Sequence, residues 1–440
     1  MRVLVLLVAT AAASCTLESD PLAVTPVMAS PPQTAAGHSP PECDGHDEAI
    51  TLPDGFCALV FADRVGSARH LVVAPNGDVF VATRGNRRSG RGGEVVGLRD
   101  SDGDGRADET ERFGEVGGTG INLFDGYLYV APQDGIIRYP LAEGSLRPSG
   151  PGERIVEKLP GPGTSHAAKS VAIDPGGHIY VNIGAPSNSC QVRDRAPGVR
   201  GQDPCPQLET RAGIWRFDAR KPGQTQADGI RFATGLRNTF ALAVHPTTAE
   251  LWGVQHGLDQ LAMSWGELFT NQDQAEKPAE ELVHIEEGDN FGWPYCFYDP
   301  SQHKKVLTPE YGGDGTEAGR CPSMKDPAVA LPAHWAPNGL AFYDAAQFPD
   351  RYRGGAFIAF HGSWNRAPLP QGGYNVVFVE FDAGKPTGKW EVFADGFAGP
   401  SKDPRRAAHR PAGVAVGPDG SLYVSDDQGG RIWRIVYRGG

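Results

Sequence analysis

Six times along this chain a run of small and β-branched residues meets a turn and then an aliphatic–aromatic–Val strand, and this repetition constrains the fold more than any other feature. The phrase reads His70-Leu-Val-Val-Ala-Pro-Asn-Gly-Asp-Val-Phe-Val81, Gly120-Ile-Asn-Leu-Phe-Asp-Gly-Tyr-Leu-Tyr-Val130 and Ser170-Val-Ala-Ile-Asp-Pro-Gly-Gly-His-Ile-Tyr-Val181. It returns as Ala241-Leu-Ala-Val-His-Pro-Thr-Thr-Ala-Glu-Leu-Trp252, more loosely from Gly339 to Ala359, and as Gly413-Val-Ala-Val-Gly-Pro-Asp-Gly-Ser-Leu-Tyr-Val424. Each copy reads as one β-hairpin around a Pro/Gly/Asp turn. A second phrase follows four of them, at Gly135–Tyr139, Gly213–Phe217, Tyr374–Phe378 and Arg431–Ile435. Hairpin plus following strand, repeated at intervals of roughly 45–100 residues, predicts radially stacked blades, an all-β six-bladed β-propeller. The segment Phe56-Cys-Ala-Leu-Val-Phe61 lacks a hairpin partner. It is expected to complete the last blade and close the ring, so that no sheet edge remains.

The rest of the composition agrees. The 440 residues include 58 Gly and 37 Pro, as many short strands and turns require, and no long stretch shows helical periodicity. Repetition argues for one closed domain over 47–440. A net charge of −12 speaks against nucleic acid or anionic lipid as the main partner.

The N-terminus reads as an export signal. Arg2 precedes an apolar run from Val3 to Ala13, too short for the ~20 residues that span a bilayer. Ala12-Ala-Ser-Cys15 has small residues directly before a Cys, the pattern of a lipoprotein cleavage site. Residues 1–14 are therefore expected to be a lipoprotein-type signal peptide, with a lipid anchor at Cys15 and a periplasmic or cell-envelope location. The rival is cleavage after Ala13, leaving a free thiol. Residues 15–46, rich in Pro, Thr, Ala and Ser, read as a flexible tether. Six cysteines remain, and an exported chain should pair them. Of the 15 connectivities six cysteines allow, the simplest joins sequence neighbours: Cys43–Cys57, Cys190–Cys205 and Cys296–Cys321.

Asp100-Ser-Asp-Gly-Asp-Gly-Arg-Ala-Asp-Glu-Thr-Glu111 is the sharpest local motif. Asp100, Asp102, Asp104, Asp108 and Glu111, with the Arg106 carbonyl, have the spacing of a loop that wraps hard oxygens around Ca²⁺. No amphipathic helices flank it, so a structural calcium loop between strands is expected. The alternative is a solvated acidic turn. Further polar groups fall just before an inner strand or just after its hairpin partner: His166, Arg237, the 255–258 turn, Asn338, Arg366 and Arg410. In a propeller both positions reach the same rim. A ring of Arg and His around a channel suits a small polyanion, although Arg237 also reads as a salt-bridged strand cap and a lone loop His is usually inert.

His166 before Val171-Ala-Ile-Asp-Pro-Gly-Gly177, Leu236-Arg-Asn238, Gly257, Asn290-Phe-Gly-Trp-Pro294 and Arg410-Pro-Ala-Gly-Val-Ala-Val-Gly-Pro-Asp-Gly420 together resemble the soluble pyrroloquinoline quinone (PQQ)-dependent sugar dehydrogenases. Ala333-His-Trp-Ala-Pro337 and His361–Arg366 resemble the sorbosone dehydrogenase branch most. The similarity covers roughly residues 48–438. It implies a six-bladed propeller holding PQQ and Ca²⁺ at its mouth, which oxidises a sugar, sugar aldehyde or polyol. By resemblance His166 is the general base and Arg237 stabilises the oxyanion on the cofactor. Arg237, Asn238, His256, His334, Arg366 and Arg410 are the implied cofactor-binding residues, and the backbone carbonyls of Gly257 and Leu258 the implied Ca²⁺ ligands. Gln255, Leu258, Ser363 and Ala412 stand where the family has an acid, Pro, Lys and Arg. With no C-x-x-C-H haem motif, electrons are expected to pass to an external acceptor, a cytochrome or a membrane quinone pathway. Two other readings stay open: a lactonase-type hydrolase on the same architecture, and a cofactor-free carbohydrate- or ligand-binding propeller.

Overall fold

The computed structural model describes residues 41–85, 93–114 and 116–439. The expected signal segment 1–14, Cys15 and most of the tether lie outside the described residues. Each predicted hairpin forms the inner half of one four-stranded antiparallel blade. Ser67–Val73, Val79–Arg84, Val95–Arg99 and Glu109–Phe113 make the first, and Gly120–Phe124, Tyr127–Ala131, Ile136–Pro140 and Glu153–Val156 the second. Val171–Ile173, His178–Ile183, Gly213–Asp218 and Ile230–Thr234 make the third, and Ala241–Val244, Leu251–Gln255, Glu280–Ile285 and Val329–Leu331 the fourth. The fifth holds Pro337–Phe342, Ala356–Phe360, Asn375–Asp382 and Lys385–Ala394. The sixth joins Pro411–Val416, Leu422–Asp426 and Ile432–Tyr437 to Phe56–Ala62. That last pairing closes the ring, with Cys57 opposite Val436 and Leu59 opposite Arg434. The six inner strands touch their neighbours in an unbroken cycle, the last blade meeting the first.

The blades cohere through the faces between them. A separate buried apolar layer lies at each of the six blade junctions; Phe357, Phe378, Phe393, Val424 and Trp433 fill the one between blades five and six. Alternation along the strands sends one set of side chains to each neighbouring blade, and each large buried side chain contributes about 1.5–3 kcal/mol. The hairpin turns are satisfied locally. Asn76 Oδ1 accepts from the Asp78 amide, Asp174 Oδ1 from His178 and Asp419 Oδ1 from Ser421. Gly77, at φ 91°, supplies the left-handed residue its turn requires.

Blade four departs from the plain repeat. After Glu280–Ile285 the chain leaves, pairs Asp289–Asn290 parallel to Ile230–Thr234, forms a hairpin of Cys296–Asp299 with Lys304–Leu307, and returns at Val329. The three disulfides join Cys43–Cys57, Cys190–Cys205 and Cys296–Cys321. The latter two brace a satellite core beside blades three and four, where Leu258, Trp265, Phe269, Trp293 and Phe297 pack. Among the described residues no helix is long and apolar enough to cross a bilayer.

Two expectations need adjustment. Residues 41–46, expected within the tether, are held to the last blade: Cys43 is bonded to Cys57, the Pro41 carbonyl accepts from Arg438 at 2.9 Å, and His46 Nδ1 shares a hydrogen bond with the Ala58 amide at 3.0 Å. The acidic loop joins the third and fourth strands of blade one. Carboxylate oxygens of Asp100, Asp102 and Asp104 lie within 4.8 Å of one another. Glu111 does not join them, because as the third residue of the following strand it points to Arg147, 3.7 Å away. Asp108 is engaged by the Ser101 hydroxyl at 2.8 Å, the Arg106 amide donates to Asp104, and Asp100 is paired with the buried Arg434 at 3.0 Å.

Candidate active site

In each blade the first two strands are antiparallel, so the residue entering the first and the residue leaving the second lie at the same end. Six such ends surround a cavity of about 1650 Å³. Of the residues expected there, His166, Arg237, Asn238, His256, Gly257, His334 and Arg410 line it, as does Asn338.

His166 enters blade three at φ 52°, a conformation uncommon outside glycine. Its Nδ1 lies 2.6 Å from the Ala185 carbonyl. A carbonyl only accepts, so Nδ1 carries the proton and Nε2 keeps its lone pair. Burial and then the nearby Arg237 charge depress its pKa to about 3. His166 is therefore a neutral imidazole whose unprotonated Nε2 is open to accept a proton, the state a general base requires. His334 and Ala336, at φ 64° and 62°, add two more left-handed residues to the same wall. Such strain persists only where the surroundings over-determine it.

Arg237 is 3 % exposed and centres a buried network. Its Nη1 donates to the Gly257 carbonyl at 2.8 Å, and its Nη2 to Asn188 Oδ1 at 3.0 Å and Asp259 Oδ2 at 2.8 Å. Asp259 also accepts from Arg195 at 2.9 Å and from Asn365 at 2.7 Å. Burial alone would raise Asp259, but the Arg237 and Arg195 charges outweigh it and hold it ionised far below the usual carboxylate range. Asn238 Oδ1 accepts from Asn182 at 3.2 Å. Across the cavity Asp427 is bound by Arg69 at 3.2 Å and His361 at 2.6 Å. Among the described residues the Arg410 guanidinium forms no ion pair; it donates to the His361 carbonyl at 2.9 Å and the Gly362 carbonyl at 2.8 Å.

One expected ligand is placed differently. Arg366 is not on the cavity wall, because its guanidinium is caged by the carbonyls of Ala275, Ala333 and Pro370. Leu258 is buried in the satellite core. His334 lines the cavity with both ring nitrogens engaged, Nε2 by the Gln274 carbonyl at 2.7 Å and Nδ1 by Asn365 at 3.3 Å. His256 donates through Nε2 to the Pro337 carbonyl at 2.9 Å, and burial lowers its pKa to about 4.

The motifs missed several groups that matter. Glu280 begins the third strand of blade four and accepts from the amides of Gly257 at 2.8 Å and Ala336 at 3.1 Å. Burial pushes it up to about 8 despite those bonds. Lys169, fully buried behind His166, donates to the Ala167 carbonyl at 2.9 Å, and burial lowers it to about 7. Arg69, Asn188, Asp259 and Asp427 were equally silent. Asp259 directly follows the 255–258 turn.

The donor set fits a planar polyanion. Arg69, Arg84, Arg237 and Arg410 line one cavity, and Arg69 Nε and Arg237 Nε are buried donors without a protein partner. Buried polar atoms left so are costly unless a ligand completes them. At the Gly257–Leu258 turn the Gly257 carbonyl accepts from Arg237 Nη1 with one of its two lone pairs, and the Leu258 side chain packs into the satellite core.

A family model described as TrAA12-like matches residues 50–438. An uncharacterized protein of Borreliella burgdorferi is 30 % identical over 207 residues, 47 % of this chain and 48 % of that one. A pyrroloquinoline quinone-dependent pyranose dehydrogenase of Coprinopsis cinerea is 28 % identical over 195 residues, 36 % of this chain and 25 % of that one. The matches thus span about half and a quarter of those relatives. The holo form of the pyranose dehydrogenase PQQ domain from Coprinopsis cinerea superimposes with a TM-score of 0.69 at 18 % identity, over 88 % of this chain and 97 % of that one, a likeness of fold.

Proposed function

This chain belongs to the TrAA12-like family, and on that premise we propose that it is a PQQ-dependent dehydrogenase oxidising a sugar, sugar aldehyde or polyol. The observation that carries the proposal is one cavity holding a neutral histidine with a free Nε2 beside arginines with unpartnered N–H groups. When bound, PQQ supplies a quinone carbonyl that accepts hydride. His166 Nε2 takes the proton of the substrate hydroxyl as its C–H bond breaks. Arg69, Arg237 and Arg410 offer charged N–H donors, and Asn238 an amide, to carboxylate or quinone oxygens. Their fixed directions, held by Asp427, Asp259 and the 361–362 carbonyls, stabilise developing negative charge without reorganisation.

A cation held by Asp100, Asp102 and Asp104 would be structural. Three disulfides argue for an oxidising compartment, in keeping with export and a lipid anchor at Cys15, where electrons would leave to an external acceptor. A lactonase-type hydrolase is supported less. It needs carboxylates converging on a metal, whereas Asp259, Asp427 and Glu280 are each separately engaged.

The test is titration of the purified protein with PQQ, then addition of aldoses and an artificial electron acceptor. Saturable binding and turnover are expected, with weaker PQQ binding in Arg237→Ala. A protein that binds sugar but never PQQ would be the cofactor-free binding propeller.

A further inference from the structure

Asn188 grips the cationic centre of the cavity with every polar atom it has. Its Oδ1 accepts from Arg237 Nη2 at 3.0 Å and from the Asp259 amide at 2.9 Å, and its Nδ2 donates to the Asp259 carbonyl at 2.9 Å. Its own amide donates to Asp194 Oδ1 at 2.7 Å, and its carbonyl accepts from Trp293 Nε1 at 2.7 Å. It is buried and stands behind the cavity wall rather than on it. The loop that carries it follows the second strand of blade three and is closed by the Cys190–Cys205 disulfide, with the Cys190 amide donating to Ser187 Oγ at 3.0 Å. Arg237 precedes the first strand of blade four and Asp259 follows its second, so one side chain from blade three ties both ends of the next blade together.

The residue type matters as much as the place. Arg237 has one carboxylate partner, Asp259, which it shares with Arg195. Its other two acceptors, the Gly257 carbonyl and Asn188 Oδ1, are neutral. They fix the guanidinium without cancelling its charge, whereas a carboxylate at 188 would fix it and cancel it. The amide also supplies the donor that meets the Asp259 carbonyl, which a carboxylate lacks. We propose that Asn188 is the positioning residue for Arg237: as a neutral acceptor it holds the guanidinium in place and leaves its positive charge to an anionic group in the cavity. This rests on the dehydrogenase reading above, in which that group belongs to the cofactor. Asn188 touches neither cofactor nor substrate and acts through Arg237.

The experiment compares Asn188→Ala and Asn188→Asp with the wild type, and repeats Asn188→Ala in an Arg237→Ala background. PQQ affinity is measured by titration, and the midpoint potential of bound PQQ by spectroelectrochemistry. Asn188→Ala is expected to weaken PQQ binding about tenfold, as the loss of one hydrogen bond to a charged group does. It should also lower the potential by about 30 mV, one decade for a two-electron couple. Asn188→Asp keeps an acceptor for Arg237 yet binds PQQ more weakly than Asn188→Ala; a merely structural role predicts the reverse order. In the Arg237→Ala background Asn188→Ala changes PQQ affinity by no more than about twofold, because the effect passes through Arg237. An unchanged affinity and potential in Asn188→Ala, an Asn188→Asp variant that binds PQQ as tightly as the wild type, or an undiminished effect in the Arg237→Ala background overturns the inference. Asn188→Asp decides alone where Asn188→Ala does not fold. Crystal structures of the cofactor-free wild type and Asn188→Ala give a reading that needs no PQQ, since Arg237 Nη1 is expected to leave the Gly257 carbonyl in the variant. A wild type that binds no PQQ, with Arg237 displaced in the variant, defeats the dehydrogenase reading and leaves the positioning role standing; an Arg237 that keeps its place defeats the positioning role.

Discussion

The two ends of the propeller are built by different physics. At one end the hairpin turns close on themselves: Asn76 serves Asp78, Asp174 serves His178 and Asp419 serves Ser421, partners two or four residues apart. At the cavity end Arg237 reaches Asn188, 49 residues away, and Asp259 reaches Asn365, 106 away. The turns are closed mainly by neighbours in sequence, with Arg434 tying the Asp419 turn to Asp100 of blade one. The cavity end holds charges that are stable only while every distant partner is present. The fold is therefore robust where the chain is local, and function sits where it is not.

Breaking the long-range end should give the largest effect. Asp259→Ala leaves Arg237 buried without its counter-charge, and removing one partner of a buried pair is expected to destabilise by about 3–5 kcal/mol. Thermal unfolding checks this, and a loss under 1 kcal/mol would mean that Arg237 finds water instead.

Acid should act on the same end next. His70, His166 and His256 are depressed to about 4, 3 and 4 by burial. The unfolded chain binds their protons near pH 6.5 and the folded one does not. Stability from these groups is full above 6.5 and is lost as pH falls from there toward 4. The depressed aspartates add nothing to this loss until pH nears their unfolded value of about 3.9. Glu280, pushed up to about 8, acts in the opposite sense between pH 8 and 4.5 but is one group against three, so a melting temperature that rises from pH 7 to 4.5 would contradict these buried neutral histidines.

The acidic loop of blade one should respond less. Asp102→Ala with Asp104→Ala is expected to remove a calcium-dependent rise in melting temperature while turnover of the folded protein stays within twofold. Lost turnover at unchanged melting would move the loop into the mechanism. The smallest effect is expected at a turn: Asn76→Ala removes local hydrogen bonds and should cost about 1 kcal/mol, with activity untouched.

The same contrast decides what could be read in the sequence. The hairpins were legible because alternation and turn residues are local signals, and so was closure by Phe56–Ala62, an apolar strand in need of a partner. Two third strands did not show. Val95–Arg99 lacks the Ile–aromatic phrase, and Glu280–Ile285 opens on two glutamates, a surface signature, although both are buried. Asp427 lies in an Asp-Asp-Gln-Gly turn that reads as solvated; Arg69 and His361, brought from two other blades, bury it. Arg366 shows the converse. Its place near the rim was legible, but its direction was set by carbonyls at 275, 333 and 370 that no local pattern announces.

Single-turnover reduction of bound PQQ by sugar, started by a pH jump from neutral solution, tests the central claim most directly: a neutral His166 acts as base in a polyanion-binding cavity. The expected rate holds from pH 7 down to about 4, because His166 titrates near 3, and falls by about 10²–10⁴ in His166→Gln, with PQQ affinity unchanged. An acid limb near pH 6.5, or a His166→Gln variant that reduces PQQ at the wild-type rate, would contradict it.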